Sequence, residues 1–154
     1  MNFDITSHRT LWTSVANAME LGMRNKTFPT LRDAEVTIQQ IKKDQFDLDS
    51  QGLELKTGKK PPLFYCHACQ YAWDMSRAAG NTTKNNRCEY CPLAWSEDNS
   101  KRCYDEGALF SDLLLAVKAG ESEQAKTIAT EIANISVVPG TSEDVEPHWT
   151  DADT

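Results

Sequence analysis

Cys66-His67-Ala68-Cys69 and Cys88-Glu89-Tyr90-Cys91-Pro92 are two C-x2-C pairs separated by eighteen residues. A two-residue gap lets a tight turn aim both sulfurs at one point about 2.3 Å from a metal, and a second such turn completes a tetrahedron. The spacing predicts one Zn2+ held by Cys66, Cys69, Cys88 and Cys91. Four thiolates saturate zinc and leave no open position for water, so this metal would be structural and not catalytic. Unmetallated buried thiols, two redox pairs or an iron–sulfur cluster are the competing uses of four cysteines. A thioredoxin-like redox pair needs an α/β setting, whereas the periodicity here is helical.

The remaining candidate ligands are weaker. Cys103, twelve residues beyond Cys91, reads as a buried free thiol, with replacement of a ligand as its alternative role. His67 lies inside the first turn and is expected to point away from the metal, toward solvent or behind the ligands. His8 and His148 have no cluster around them and read as bystanders. There is no His-Glu-x-x-His and no His-x-Glu paired with Pro-Cys-x-x-Cys, so the zinc hydrolase and deaminase patterns are absent. No catalytic residue is assigned, and the chain is read as non-enzymatic.

Around the cysteines the apolar pattern is helical. Trp12, Val15, Ala16, Met19 and Met23 recur at three- and four-residue spacing, which predicts a helix near 7–23 capped by Ser7. Thr30-Leu31-Arg32-Asp33 opens a second helix near 30–46, with Leu31, Ala34, Ile38 and Ile41 on its stripe and Leu48 added if it runs on. From Asp47 to Pro62 the chain is polar and reads as a connection. A short helix from Gln70 is closed by Gly80. Asp105 and Glu106 fall in the expected first turn of a helix carrying Leu109, Phe110, Leu113, Leu114, Leu115 and Val117. Gly120 ends it, and a helix with Ala125, Ile128, Ala129, Ile132 and Ile135 follows at once, so 105–135 is expected to form a hairpin. The apolar residues of 106–119 cover more than one face, which points to burial on two sides, within the domain or against a second chain.

At 154 residues the chain suits one domain. The expected architecture is mainly α: a helical zinc-binding domain over 1–135, with its zinc module at 63–103, and a flexible acidic tail over 136–154. The formal charge of −7 is uneven. Residues 55–103 carry eight basic against four acidic side chains, while 136–154 carry five acids and no base. Arg77, Lys84, Arg87, Lys101 and Arg102 give a basic face around 77–102, and nucleic-acid binding is the alternative function it suggests. Four thiolates and one Zn2+ add a net −2, however, which gives nearby cations a structural reason to be there. No apolar run approaches the roughly 20 residues of a membrane helix, and the start lacks the pattern of a signal peptide, so no membrane partner and a cytoplasmic location are expected.

Cys66-His67-Ala68-Cys69-Gln70-Tyr71-Ala72, then Cys88-Glu89-Tyr90-Cys91-Pro92-Leu93-Ala94-Trp95, with His8-Arg9-Thr10-Leu11-Trp12 near the start, resembles a loose group of small bacteriophage-encoded proteins. They share a C-x2-C pair, a C-x2-C-P-L-x-W pair, and a lone cysteine before a helical hairpin. The likeness covers about residues 8–135. The group's usual acidic loop between the pairs is replaced here by Asn81-Thr82-Thr83-Lys84-Asn85-Asn86-Arg87. The resemblance implies a phage accessory factor that binds and modulates a host or defence protein, with zinc holding the fold. Its expected partner is a host protein, or a second copy through the 106–119 helix.

Overall fold

The computed structural model describes residues 3–22, 26–57, 66–80, 90–95, 102–139, 141 and 143–144. Among them a two-residue strand, β1 (Phe3–Asp4), leads into α1 (Ile5–Gly22). There follow α2 (Leu31–Thr57), α3 (His67–Ala78), α4 (Leu109–Lys118), α5 (Ser122–Ala133) and a second short strand, β2 (Glu143–Asp144). The described chain is mainly helical, as its apolar spacing requires.

α1 starts two residues before the expected point because Asp4, not Ser7, is its cap. The Asp4 carboxylate accepts the Ser7 N–H at 3.0 Å, and burial of Phe3 and Ile5 draws this turn into the core. Leu11, Trp12, Val15, Ala16 and Met19 are buried, packing α1 chiefly on α5 and also on α2 and α3. Met23 lies outside the described residues.

α2 opens as the sequence suggests. Thr30 Oγ1 accepts the Asp33 N–H at 3.1 Å and donates to the Asp33 carboxylate at 2.8 Å. Its end and its buried face differ from expectation. The helix runs to Thr57, about 40 Å of rise. Beyond Asp47 only Gly52 opposes it, at about 1 kcal/mol relative to alanine, and the first proline comes at 61. The buried stripe is Ala34, Ile38, Lys42 and Phe46, while Leu31 and Leu48 are exposed. An apolar-only reading passes over Lys42 and so rotates the stripe.

α4 begins at Leu109, and Asp105 and Glu106 stand upstream of it. Arg102 donates its N–H to the Asp105 carboxylate at 2.8 Å, and Gly107, with φ of +83°, redirects the chain into the helix. The α4–α5 hairpin is as expected. Gly120 between them has φ of +76°, and a Cβ there would lie 2.8 Å from the Lys26 carbonyl oxygen, so only glycine fits. Phe110, Leu113, Leu114, Ala116 and Val117 are buried in this chain's own core, leaving Leu115 exposed. The wide apolar face of 106–119 is therefore largely accounted for by α2 and α5, with Trp12 of α1 against Phe110.

The described part of 136–154 is tied to the body, contrary to its reading as a free tail. Val137 forms an antiparallel bridge with Leu93, flanked by hydrogen bonds from Ala94 N–H to the Ser136 carbonyl and from Val138 N–H to the Pro92 carbonyl. β2 pairs in parallel with β1. Backbone pairing and the partial burial of Val137 hold this segment despite its acidic composition. Residues 145–154 lie outside the described set.

Adjacent leucines on α4 provide a direct check. Leu114 is 7% exposed and Leu115 55%. Leu114→Glu buries an unpaired carboxylate and should cost about 3 kcal/mol or more, whereas Leu115→Glu should stay within about 0.5 kcal/mol of wild type. Urea denaturation of both variants reads the difference. Equal losses would contradict the rotation of α4 described here.

Candidate metal centre

Helix α3 starts inside the first cysteine pair. Cys66 is its N-cap, in an extended conformation with φ −162° and ψ 111°, and its Sγ accepts the Cys69 N–H at 3.3 Å. The helix opens at His67 because the thiol takes the place that a serine or aspartate oxygen usually fills. A sulfur receiving amide hydrogens at a helix N-terminus is favoured as thiolate. The Cys66 thiol is lowered from its ordinary value, first by the hydrogen bond it receives from the Cys69 thiol, and also by Lys42 and by the Cys69 and Ala68 amides. Cys69 moves the opposite way, raised by sharing that bond, by burial and by the charges of Cys66 and Cys91. The bond they share favours negative charge on Cys66 over Cys69.

Cys91 lies within electrostatic reach of Cys69, and Cys66, Cys91 and Cys103 are all part-buried against the hydrophobic core. Cys88 falls outside the described residues. Among the described residues no three histidine, cysteine or acidic side chains converge closely enough to hold a metal. The structure thus brings Cys66 and Cys69 into contact through the Cys69 amide. The donor set itself, soft thiolates at a helix start, suits zinc chemically.

His67 is not solvent-facing. It is buried against the Phe46 ring, with centroids 5.3 Å apart, and burial, His8 and Lys42 push it down to about 3. His8 is not a bystander. Its Nε2 lies 2.9 Å from the Ile132 carbonyl oxygen, to which it donates when that nitrogen carries the proton, tying α1 to α5. Burial is the main reason that His8 is pushed down to about 4. Lys42, 6% exposed, places its ammonium over the rings of Trp12 and Phe110. These polar core residues were not singled out from the sequence. The available signal was their register: His8 shares the spacing of Leu11, Trp12 and Val15, and Lys42 stands midway between Ile38 and Phe46.

Of the basic residues read from the sequence, the Arg77 guanidinium lies 5.6 Å from the Trp73 ring centroid, Arg102 is exposed and gives its backbone N–H to the Asp105 carboxylate, and Lys84, Arg87 and Lys101 lie outside the described residues. On the far side of the hairpin, Leu109, Leu115, Ala116 and Ile128 line a shallow groove of about 470 Å³ with Asp112, Glu121 and Glu131 on its walls. No helix is long and apolar enough to cross a membrane among the described residues. No family model, curated protein or solved structure matches the chain.

His8 makes stability depend on pH. Its folded value of about 4 lies below the ordinary 6.5, so the native state favours the neutral ring. That contribution is fully present above pH 6.5 and is lost as pH falls through about 4, amounting to about 3 kcal/mol at most. His8→Gln keeps a donor for the Ile132 carbonyl without titrating. Denaturant curves from pH 7.5 to 4 should therefore decline less steeply for His8→Gln than for wild type, and parallel declines would contradict the burial of a neutral His8.

Proposed function

We infer that the protein is a non-enzymatic interaction module whose fold is organised by one structural Zn2+ on Cys66, Cys69, Cys88 and Cys91. The observation that carries the metal part is the Cys66 cap: its sulfur takes the Cys69 N–H at 3.3 Å within a C-x2-C turn at the start of α3. A sulfur receiving an amide hydrogen at a helix start is favoured as thiolate, the form in which cysteine binds a metal. The absence of an open ligand position in a four-thiolate set argues for a structural metal.

The interaction part rests on the outer face of the α4–α5 hairpin. Its groove joins apolar side chains with three carboxylates, and among the described residues no basic side chain lines it. A second copy would oppose carboxylates to carboxylates, and the chain's own net charge of −7 adds to that repulsion. The occupant that fits is an amphipathic helix of a partner protein with lysine or arginine flanking its apolar anchors. A phage accessory factor acting on a host protein accords with the likeness of the cysteine and Pro92-Leu93-Ala94-Trp95 pattern, by analogy.

Two measurements test this reading. Elemental analysis of purified protein should find one zinc per chain, lost in Cys66→Ser and retained in Cys103→Ser. No zinc, or equal loss in both variants, would sink the ligand assignment. A fluorescent leucine–lysine helical peptide should bind the folded chain more tightly than its leucine–glutamate counterpart and should lose affinity for Leu115→Asp. Unchanged binding to Leu115→Asp would remove the groove as the partner face.

A further inference from the structure

The groove on the outer side of the hairpin is lined by two matching rows of side chains. Along α4 and its C-cap the row is Leu109, Asp112, Ala116 and Ala119, with Leu115 beside it. Along α5 and its N-cap the row is Glu121, Gln124, Ile128 and Glu131. Each row steps by three, four and three residues, the spacing of a coiled-coil seam, and rises about 15 Å from end to end. Gly120 turns the chain between the two helices, so the rows run antiparallel and in step. Counted outward from that glycine, Ala119 matches Glu121, Ala116 matches Gln124, Asp112 matches Ile128 and Leu109 matches Glu131.

Two parallel rows at this period are the half of a three-helix seam that a third helix completes, its side chains entering between them as knobs. Leu115 stands 55% exposed next to buried Ala116, so apolar surface is left for such a helix to cover. The charges define which helix. Among the described residues Asp112, Glu121 and Glu131 make no ion pair, whereas Glu20 of α1 takes Lys126, the lysine of α5. Glu121 and Glu131 occupy the two ends of the α5 row, and both are exposed.

We propose that the groove is a receptor for a three-turn helix and reads the spacing of two basic residues on it. The partner helix lays apolar side chains between the rows and carries lysine or arginine at both ends of the flank facing α5, ten or eleven residues apart, one against Glu121 and one against Glu131. This rests on the partner-helix reading above and adds its register. Ten or eleven residues return a side chain to the same flank of a helix after about three turns, the length of the rows themselves. Exposed charges of this kind contribute little affinity, but they fix register and disfavour partners whose charges fall elsewhere. Asp112, on the opposite row, offers a place for a third basic residue on the other flank.

Two fluorescent helical peptides of identical length, composition and leucine seam test the assignment: one with its two flank lysines eleven residues apart, the other with them four apart. The spaced peptide can pair with both glutamates at once and the clustered one with a single end. At low salt the full chain should therefore bind the spaced peptide about three- to fivefold more tightly, the yield of one more exposed ion pair. Glu121→Gln and Glu131→Gln should each erase that preference, since either leaves one end to pair with. Equal binding of the two peptides by wild type, or a preference that survives either substitution, overturns this inference while leaving the partner-helix reading intact. Wild type that binds neither peptide overturns that reading and the inference together. So does a wild-type dimer in sedimentation that Leu115→Asp disperses, which would give the groove to a second copy of the chain.

Discussion

The three-sided burial of α1 is the constraint on which the other elements depend. Its Leu11, Trp12, Val15, Ala16 and Met19 leave water together, against α5 along most of its length and against α2 and α3 elsewhere. At about 25 cal/mol per Å2 of apolar surface, side chains of this size are worth roughly 1.5–3 kcal/mol each when fully buried. Trp12 is the junction. Its indole meets Phe110 of α4 nearly at right angles, with centroids 6.2 Å apart, and receives the Lys42 ammonium of α2 on its face. One ring thus fixes three helices relative to one another.

A core this small holds an unusual number of polar groups. Asp4, Ser7, His8, Lys42, His67 and Ser76 are all buried. Two of them are explained by local structure: Asp4 caps α1, and the Ser7 amide is what it caps. His8 is explained by a long-range bond to the Ile132 carbonyl, in the last turn of α5. Its Nδ1, together with Ser76 Oγ and Trp95 Nε1, has no hydrogen-bond partner among the described residues. Such groups ordinarily cost about 1–3 kcal/mol each.

The helical class, the Thr30 cap, the glycine-closed hairpin and the buried faces of α1 and α5 were legible because each has a local signature: a period, a cap or a positive-φ turn. What escaped the sequence was non-local. Apolar periodicity selected Leu31 and Leu48 on α2, although the face that packs is set by Ala34, Ile38, Lys42 and Phe46. Lysine and histidine carry no hydrophobic signal, so their burial at positions 42 and 8 shows only as register with apolar neighbours. Asp105 and Glu106 look like a favourable first helical turn until Gly107 takes up a left-handed conformation that ends that option. The bridge of Val137 to Leu93 joins residues 44 apart in sequence, a pairing no local pattern announces. At the candidate metal centre the cysteine spacing did not announce that Cys66 would cap a helix, since the capping sulfur shows only in the fold.

That bridge also gives a physical meaning to the Cys91-Pro92-Leu93-Ala94-Trp95 stretch, which a motif reading treats as a signature and nothing more. Pro92, Leu93 and Trp95 are buried, and Leu93 and Trp95 belong to the same hydrophobic cluster as α1 and the hairpin. The carbonyl of Pro92 and the amide of Ala94 bond to Val138 and Ser136, in the chain that leaves α5. The last cysteine is therefore anchored to the hairpin by both side chains and backbone. On the opposite side, Cys66 and Cys69 are anchored to α2 through His67 on Phe46. A metal shared by the two cysteine pairs would close the remaining gap between these anchors.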